Sequence, residues 1–263
     1  FILITLGDNK LSNKKVAVIM SVYISDQLPN IKLAVNSILQ QEYINIVLYI
    51  YLDGPLDNDV EQYMRFIDER FSSILLIKNK FNKGLACALN ALIDEVMSNE
   101  NICYIARMDS DDISRPERIS RQVKFLEENQ VDVVGGYCRE FGSTFSLNKK
   151  MVPLEHHEIV KFSITRCPLI HPTVMFRREV FISKSVRYPE STKFTEDMAL
   201  WFLMLSKGFK FANIPQVLLD YRLSEDTVKR RKGLDKCISE VKLRTKYMFL
   251  LKEVSLYNIV IIS

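Results

Sequence analysis

KVAVIMSVY, Lys15 to Tyr23, is a run dominated by Val and Ile with no alternation of polar and apolar positions. A strand with one wet face alternates; an unbroken apolar run of this length is the pattern of a strand covered on both faces, as in a parallel sheet sandwiched by helices. The residues that follow repeat the theme. Pro29 opens a helix whose Ile31, Val35, Ile38 and Leu39 lie on one stripe. Then come a strand, IVLYIYLD (Ile46 to Asp53), a helix through Asp59 to Phe71, a strand, SILLIKN (Ser73 to Asn79), and a helix beginning near Gly84 that turns Leu85, Leu89, Leu92 and Val96 inward. The strand ICYIARMD (Ile102 to Asp109), a helix from Pro116 (PERISRQVKFLEEN) and a short strand, DVVGG, complete the alternation. It predicts an α/β fold built on a central, mostly parallel sheet flanked by helices, with right-handed crossovers.

In such sheets ligands bind beyond the carboxyl ends of the strands. Tyr23, Asp53 and Asp109 to Asp112 all fall on that edge. Beyond Phe141 the alternation degrades. HPTVMFRREVF (His171 to Phe181) reads as one strand, TEDMALWFLMLSKG (Thr195 to Gly208) as an amphipathic helix closed by Gly208, and FKFANIPQVLLDYRL as strand, turn, strand. This mixed half is expected to form the second wall of a cleft.

The totals suit one folded domain with a tail. The chain has 263 residues, of which 48% are hydrophobic and 26% charged, with no repeat and no biased tract. Its five cysteines are odd in number and share no CxxC spacing, so they read as packing residues in a reducing compartment. FILITL at the start is too short to span a bilayer and lacks the flanks of a signal peptide. Net charge is +4, but Lys and Arg interleaved with apolar residues concentrate between Val228 and Glu253. The expected division is therefore a domain over 1–227 and a basic amphipathic helical tail over 228–263. That tail suits an anionic membrane surface, or equally a helix packed on the domain with a solvated basic face. Nucleic acid is the weaker alternative, because no stacking aromatics accompany the basic run.

YIARMDSDD, Tyr104 to Asp112, drives three carboxylates onto the end of a buried strand. Like charges so close repel, and each makes its neighbours harder to ionise, so something positive belongs there. Asp109 and Asp111, two apart, can lean toward one point while Asp112 points elsewhere, which suits Mg²⁺ or Mn²⁺ with open positions for water and phosphate. The ordinary alternative is a strand-end turn leading into a helix, where Asp and Ser are common anyway. Arg107 is a second candidate for the neutralising cation. No GxGxxG or GxxxxGK[ST] occurs, so a dinucleotide fold or P-loop has no fingerprint here. Asp53-Gly54 is by itself a strong signal for a tight turn. Thr195 is a natural helix N-cap, with Glu196 and Asp197 in a first turn where the macrodipole favours acids.

Taken in order from about Lys15 to Lys229, these motifs resemble the family 2 glycosyltransferases of the GT-A fold, in particular the bacterial enzymes that build O-antigen, capsule and other surface polysaccharides. VAVIMSVY is similar to the family's first strand and nucleotide-contacting loop, with Ser21 and Tyr23 facing the donor. Asp53 of LDG falls where the family places the carboxylate that binds the base. NKGLACALN (Asn82 to Asn90) resembles its N-x-G-x-a-x-A-x-N segment, putting Asn82, Lys83 and Gly84 beside the nucleotide. DSDD resembles its DxD motif, Asp109-Ser110-Asp111, with Arg107 nearby. HPTVMFRR and TEDMALW resemble later motifs, which implies Asp197 as general base, Glu196 as its helper, and His171, Asp112 and Trp201 on the acceptor side. One departure stands out: where many relatives carry YR-x-H-x-x-S-x-S, this chain reads YRLSEDTVK, with Ser224, Thr227 and Lys229 at the places of the histidine and the two serines. Arg222 and Lys229 keep the charge needed to hold a leaving diphosphate.

The resemblance implies a metal-dependent, inverting transfer of a sugar from a nucleotide-diphosphate donor, UDP-linked by expectation, to a hydroxyl of a glycan or lipid-linked acceptor. It places the protein in the cytoplasm, at the inner face of the membrane if the basic tail docks there. A nucleotidyltransferase that makes an activated sugar is the rival enzyme, though SVYISDQLPN lacks its Gly-rich, basic loop. A non-catalytic binder of sugar nucleotides or glycans is the rival of another class.

Overall fold

A computed structural model describes residues 14–182, 185–192, 195–223 and 234–262. The expected features at FILITL and at Ser224, Thr227 and Lys229 lie outside these residues.

β1 (Lys15–Val22) is the hub. It pairs in parallel with β2 (Ile46–Asp53) on one side and β4 (Ile102–Asp109) on the other, and β2 pairs in parallel with β3 (Ile74–Asn79). The helices α1 (Leu28–Leu39), α2 (Asn58–Arg70) and α3 (Leu85–Met97) make the crossovers. The unbroken apolar run of β1 is explained by its two neighbours: Val16, Val18, Met20 and Val22 pack into the core on one face of the sheet, and Ala17 and Ile19 into the core on the other. Each wholly buried aliphatic side chain contributes roughly 1.5–3 kcal/mol relative to exposure.

The eight-stranded sheet runs in the order β3-β2-β1-β4-β7-β6-β8-β5. Its second half is built from β5 (Ile113–Ser114), β6 (Val133–Phe141), β7 (Met175–Arg177) and β8 (Phe211–Arg222), with α4 (Arg118–Glu128), α5 (His156–Ser163) and α6 (Glu196–Ser206) between them. Here parallel and antiparallel pairing mix. β7 runs antiparallel to both β4 and β6, while β6 and β8 are parallel.

This half corrects four expectations from the sequence. HPTVMFRREVF is not one strand: β7 is three residues long, between 3₁₀ turns at His171–Thr173 and Arg178–Phe181. Pro172 has no N–H for a ladder, and the Arg177 side chain turns back to donate from Nε to the Val131 carbonyl at 2.8 Å. FKFANIPQVLLDYRL is one strand of twelve residues rather than two. Opposite it the register jumps from Gly136↔Ile214 to Tyr137↔Val217, so a bulge carries Pro215 and Gln216 to the exposed side without breaking the strand. DVVGG extends to a nine-residue strand because β8 pairs along all of it. Pro116 precedes α4 by two residues rather than starting it.

The C-terminal segment forms α7 (Leu234–Leu250) and α8 (Leu256–Ile262). α7 is packed against the rest of the fold rather than detached. The Tyr247 ring stacks on Phe202 of α6 at 4.8 Å between centroids, and Arg244 donates to the carbonyls of Ser163 (3.2 Å) and Ile164 (2.8 Å). Among the described residues no helix is long and apolar enough to cross a membrane.

Candidate active site

The carboxyl ends of β1, β2 and β4 open into a cleft of about 650 Å³ whose opposite wall comes from the 3₁₀ turn at His171, the start of α6 and the side of α7. On the β2 side, Asp53 is buried, and its two oxygens accept the backbone N–H groups of Lys83 (2.8 Å) and Gly84 (2.9 Å). A carboxylate at the first turn of α3 satisfies N–H groups that a helix start leaves unpaired. Gly84 enters that turn with φ +85°, and Asn82 Oδ1 accepts its N–H as well, at 3.1 Å. Gly54 is required by two facts together: its φ is +92°, and a Cβ there would sit 2.8 Å from the Asn82 nitrogen. Asn82 and Gly84 line the cleft; Lys83 is exposed and offers its main chain to Asp53 instead of its side chain to the cleft wall.

On the β4 side the three acids converge. Asp109 faces Ser21 across the β1–β4 pairing, and oxygens of Asp109, Asp111 and Asp112 lie within 4.8 Å of one another. Asp112 therefore does not point elsewhere, as its spacing suggested. It is wholly buried, with Oδ1 accepting the Arg222 N–H at 2.8 Å and Oδ2 without a hydrogen-bond partner, so it is not on the acceptor-side wall. The extended geometry assumed for the sequence fails because the chain turns at Ser110–Asp111 before entering β5. Burial, then repulsion from Asp109, raises Asp111 to a pKa of about 6; burial, Asp109 and Asp111 push Asp112 well above the ordinary carboxylate range.

Two buried arginines answer part of this charge. Arg107 forms an ion pair with Asp109. Behind it Arg118, fully buried, donates from Nη2 to the Arg107 carbonyl at 2.7 Å and from Nε to Gln122 at 3.0 Å. Burial, then Arg107, lowers the Arg118 pKa to about 9. Arg222 closes the opposite flank, its Nε donating to the Asp111 carbonyl at 2.8 Å.

Asp26 belongs to the site and was missed in the sequence. Its Oδ2 accepts both the Tyr23 N–H (3.0 Å) and the Ser110 hydroxyl (2.8 Å), tying the loop after β1 to the acidic turn after β4. Burial raises its pKa to about 7, with smaller contributions from Asp111 and Asp109. An acid three residues beyond Tyr23, on the same sheet edge, was the available signal.

Glu196 and Asp197 start α6 on the far wall. Thr195 occupies the N-cap position, but its hydroxyl does not cap the helix; it bonds Ser239 Oγ of α7 at 2.8 Å. Asp197 Oδ1 accepts the Met198 N–H at 2.7 Å, and the Cys167 thiol approaches Oδ2 at 3.8 Å. Burial, then Asp197, raises the pKa of Glu196. His171 lines the cleft with Nε2 bonded to the Tyr188 hydroxyl at 2.8 Å, and burial holds it neutral. Trp201 does not reach the cleft: it is fully buried, stacked on Phe176 and edge-on to His171 at 5.8 Å, so it supports His171 from behind. Its place on the inward stripe of α6 accounts for this. His156 is half-buried, and its Nδ1 accepts the Phe211 N–H.

One cleft thus brings together a buried carboxylate at the end of β2, an acid cluster and an acid pair at a helix start. Residues 17–183 match the family described as Glycosyl transferase family 2. This chain belongs to that family. The amylovoran biosynthesis glycosyltransferase AmsE of Erwinia amylovora is 30% identical over 86% of this chain and 83% of its own. The Escherichia coli UDP-Gal:alpha-D-GlcNAc-diphosphoundecaprenol beta-1,3-galactosyltransferase is 32% identical over 87% and 81%. The structure of S. aureus TarS 1-349 in complex with UDP-GlcNAc superposes with a TM-score of 0.70 at 14% identity, covering 94% of this chain and 70% of that one. The expected GT-A fold and the resemblance to surface-polysaccharide enzymes both hold. The family 2 chain is a nucleotide-sugar-dependent glycosyltransferase.

Proposed function

We propose that this glycosyltransferase is metal-dependent and inverting, and that it moves a sugar from a UDP-linked donor to a hydroxyl of a lipid-linked glycan in the synthesis of a surface polysaccharide. The observation that carries the reading is that one cleft holds the Asp109–Asp111 cluster on one wall and the Glu196–Asp197 pair on the other. Donor chemistry and acceptor chemistry need that separation of duties.

Asp109 and Asp111 fit a divalent ion: their oxygens converge with an unpartnered, buried oxygen of Asp112 beside them, an all-carboxylate donor set suited to Mg²⁺ or Mn²⁺. When bound, the ion neutralises charge on the departing diphosphate. Asp53, Asn82 and Tyr23 receive the nucleoside at the edge of β1 and β2. Asp197 accepts the proton of the acceptor hydroxyl; the oxygen forms its bond to the anomeric carbon as the bond to the diphosphate breaks, and the nucleoside diphosphate leaves with that electron pair on the opposite face. Arg222 supplies positive charge on the leaving side. Neutral His171 offers a hydrogen bond to the acceptor without adding charge beside Asp197. The relatives' names support the substrate classes, one acting from a UDP sugar on a diphosphoundecaprenol-linked acceptor.

Incubation of the purified protein with a panel of nucleotide sugars, with Mn²⁺ or with a chelator, tests the reading. Donor turnover that requires the ion and a product of opposite anomeric configuration are expected. Turnover unaffected by chelation, or none with any donor, would sink it; the latter would favour a binding module.

A further inference from the structure

The C-terminal helices present a surface that the cleft chemistry does not use. α7 turns Arg244, Tyr247 and Met248 into the fold and leaves Ile238 and Phe249 exposed, with Val241 at the edge. α8, which packs on α7, likewise exposes Leu256, Tyr257, Ile259 and Ile261. Exposure is high where it matters, 61% for Phe249, 83% for Leu256 and 68% for Tyr257. A helix apolar nearly all round does not hold such side chains in water without a partner.

The charge pattern names the partner. From Cys237 to Ile262 the exposed charged side chains are Lys242, Lys246 and Lys252, while the two acids, Glu240 and Glu253, are half-buried. Glu240 is moreover bridged to Arg244. Lysines flanking an apolar ridge, with no exposed acid on it, fit anionic headgroups above an acyl layer.

We propose that the outer face of α7 and α8 is a monotopic docking surface for an anionic bilayer. The inference stands on this surface alone and does not require the transferase mechanism. It has one consequence for that mechanism: α7 also contributes Glu240 and Arg244 to the cleft wall, so docking sets the cleft beside the headgroup layer where a lipid-linked acceptor resides. The basic tail expected from sequence is thereby redistributed, the insertion falling to α8 and the end of α7 and the lysines to their flank.

Co-sedimentation of the full chain with phosphatidylcholine vesicles, with and without phosphatidylglycerol, tests the proposal. Binding should require phosphatidylglycerol, weaken in high salt, and fall at least about tenfold in Leu256→Asp/Tyr257→Asp, since burying one such side chain is worth roughly 1.5–3 kcal/mol. Lys242→Glu/Lys246→Glu, which spares the apolar ridge, should weaken binding to the anionic vesicles only. Equal partition of wild type and Leu256→Asp/Tyr257→Asp, or binding indifferent to phosphatidylglycerol, overturns it. So does concentration-dependent self-association abolished by that variant, which would assign the face to a second copy. Donor turnover in vesicle-free solution, measured in parallel, fails only if the transferase reading fails.

Discussion

The two halves of the sheet hold their functional residues in different ways. From β1 to β4 they sit at or just beyond the ends of parallel strands: Asp53 is held by two backbone N–H groups, Asp26 by one and by the Ser110 hydroxyl, and Asp109 by Arg107. Beyond β5 the acid pair begins a helix whose N-cap hydroxyl is committed to α7, and His171 rides on a 3₁₀ turn braced by Tyr188 and Trp201. Strand ends fix the first wall, whereas the far wall is assembled from turns. One wall is thus set by the sheet itself and the other by a helix start and a 3₁₀ turn.

The largest expected effect separates the walls. Asp197→Asn should lower kcat by roughly 10²–10⁴-fold, the range for loss of a general base, while the affinity for nucleotide sugar is unchanged. If donor affinity collapses with kcat, the division between walls is wrong. Asp111→Asn should cut turnover by roughly 10²–10³-fold and abolish its response to Mn²⁺, because it removes charge stabilisation on the leaving side. Isothermal titration with Mn²⁺ and a nucleotide diphosphate reads that loss directly.

Gly54→Ala moves from activity to stability. With φ at +92° and the Asn82 backbone 2.8 Å from the new Cβ, it should cost about 1–3 kcal/mol in urea unfolding, and a silent result would mean that the donor loops give way easily.

A smaller effect depends on pH. Asp26 carries a folded pKa of about 7, above its unfolded value, so its protonated form contributes stability that is complete below about pH 4 and lost as pH rises through 7. Asp26→Asn removes that loss: its unfolding free energy in urea titrations should exceed wild type's at pH 8 by about 1–2 kcal/mol and match it near pH 4. The opposite trend would show that ionised Asp26 is held by a cation. Smallest of all, Thr195→Val on the turn-built wall should cost about 1 kcal/mol, the scale of one hydrogen bond, with little change in donor affinity.

What could be read in the sequence follows the same division. Continuous apolar runs located β1, β2 and β4, and the acidic ends of β2 and β4 the edge they share, because a strand buried on both faces has one composition and a parallel sheet has one ligand edge. Asp26 escaped notice because its role arises from a contact with Ser110 across 84 positions. Asp112 and Trp201 were misplaced for a related reason: spacing gives the side of an ideal strand or helix, but not the turn at Ser110–Asp111 or the depth at which α6 packs. Pro215 suggested a break in β8, and only its partner strand shows that a bulge absorbs it.

Asp53 anchors the first turn of α3 with the same carboxylate that the proposed nucleoside site would use. Attempts to re-tune base preference by exchanging this residue alone would unseat a helix along with the recognition group. Redesign at this position therefore calls for a compensating donor-loop change made in the same step, such as a new acceptor for the Lys83 and Gly84 amides.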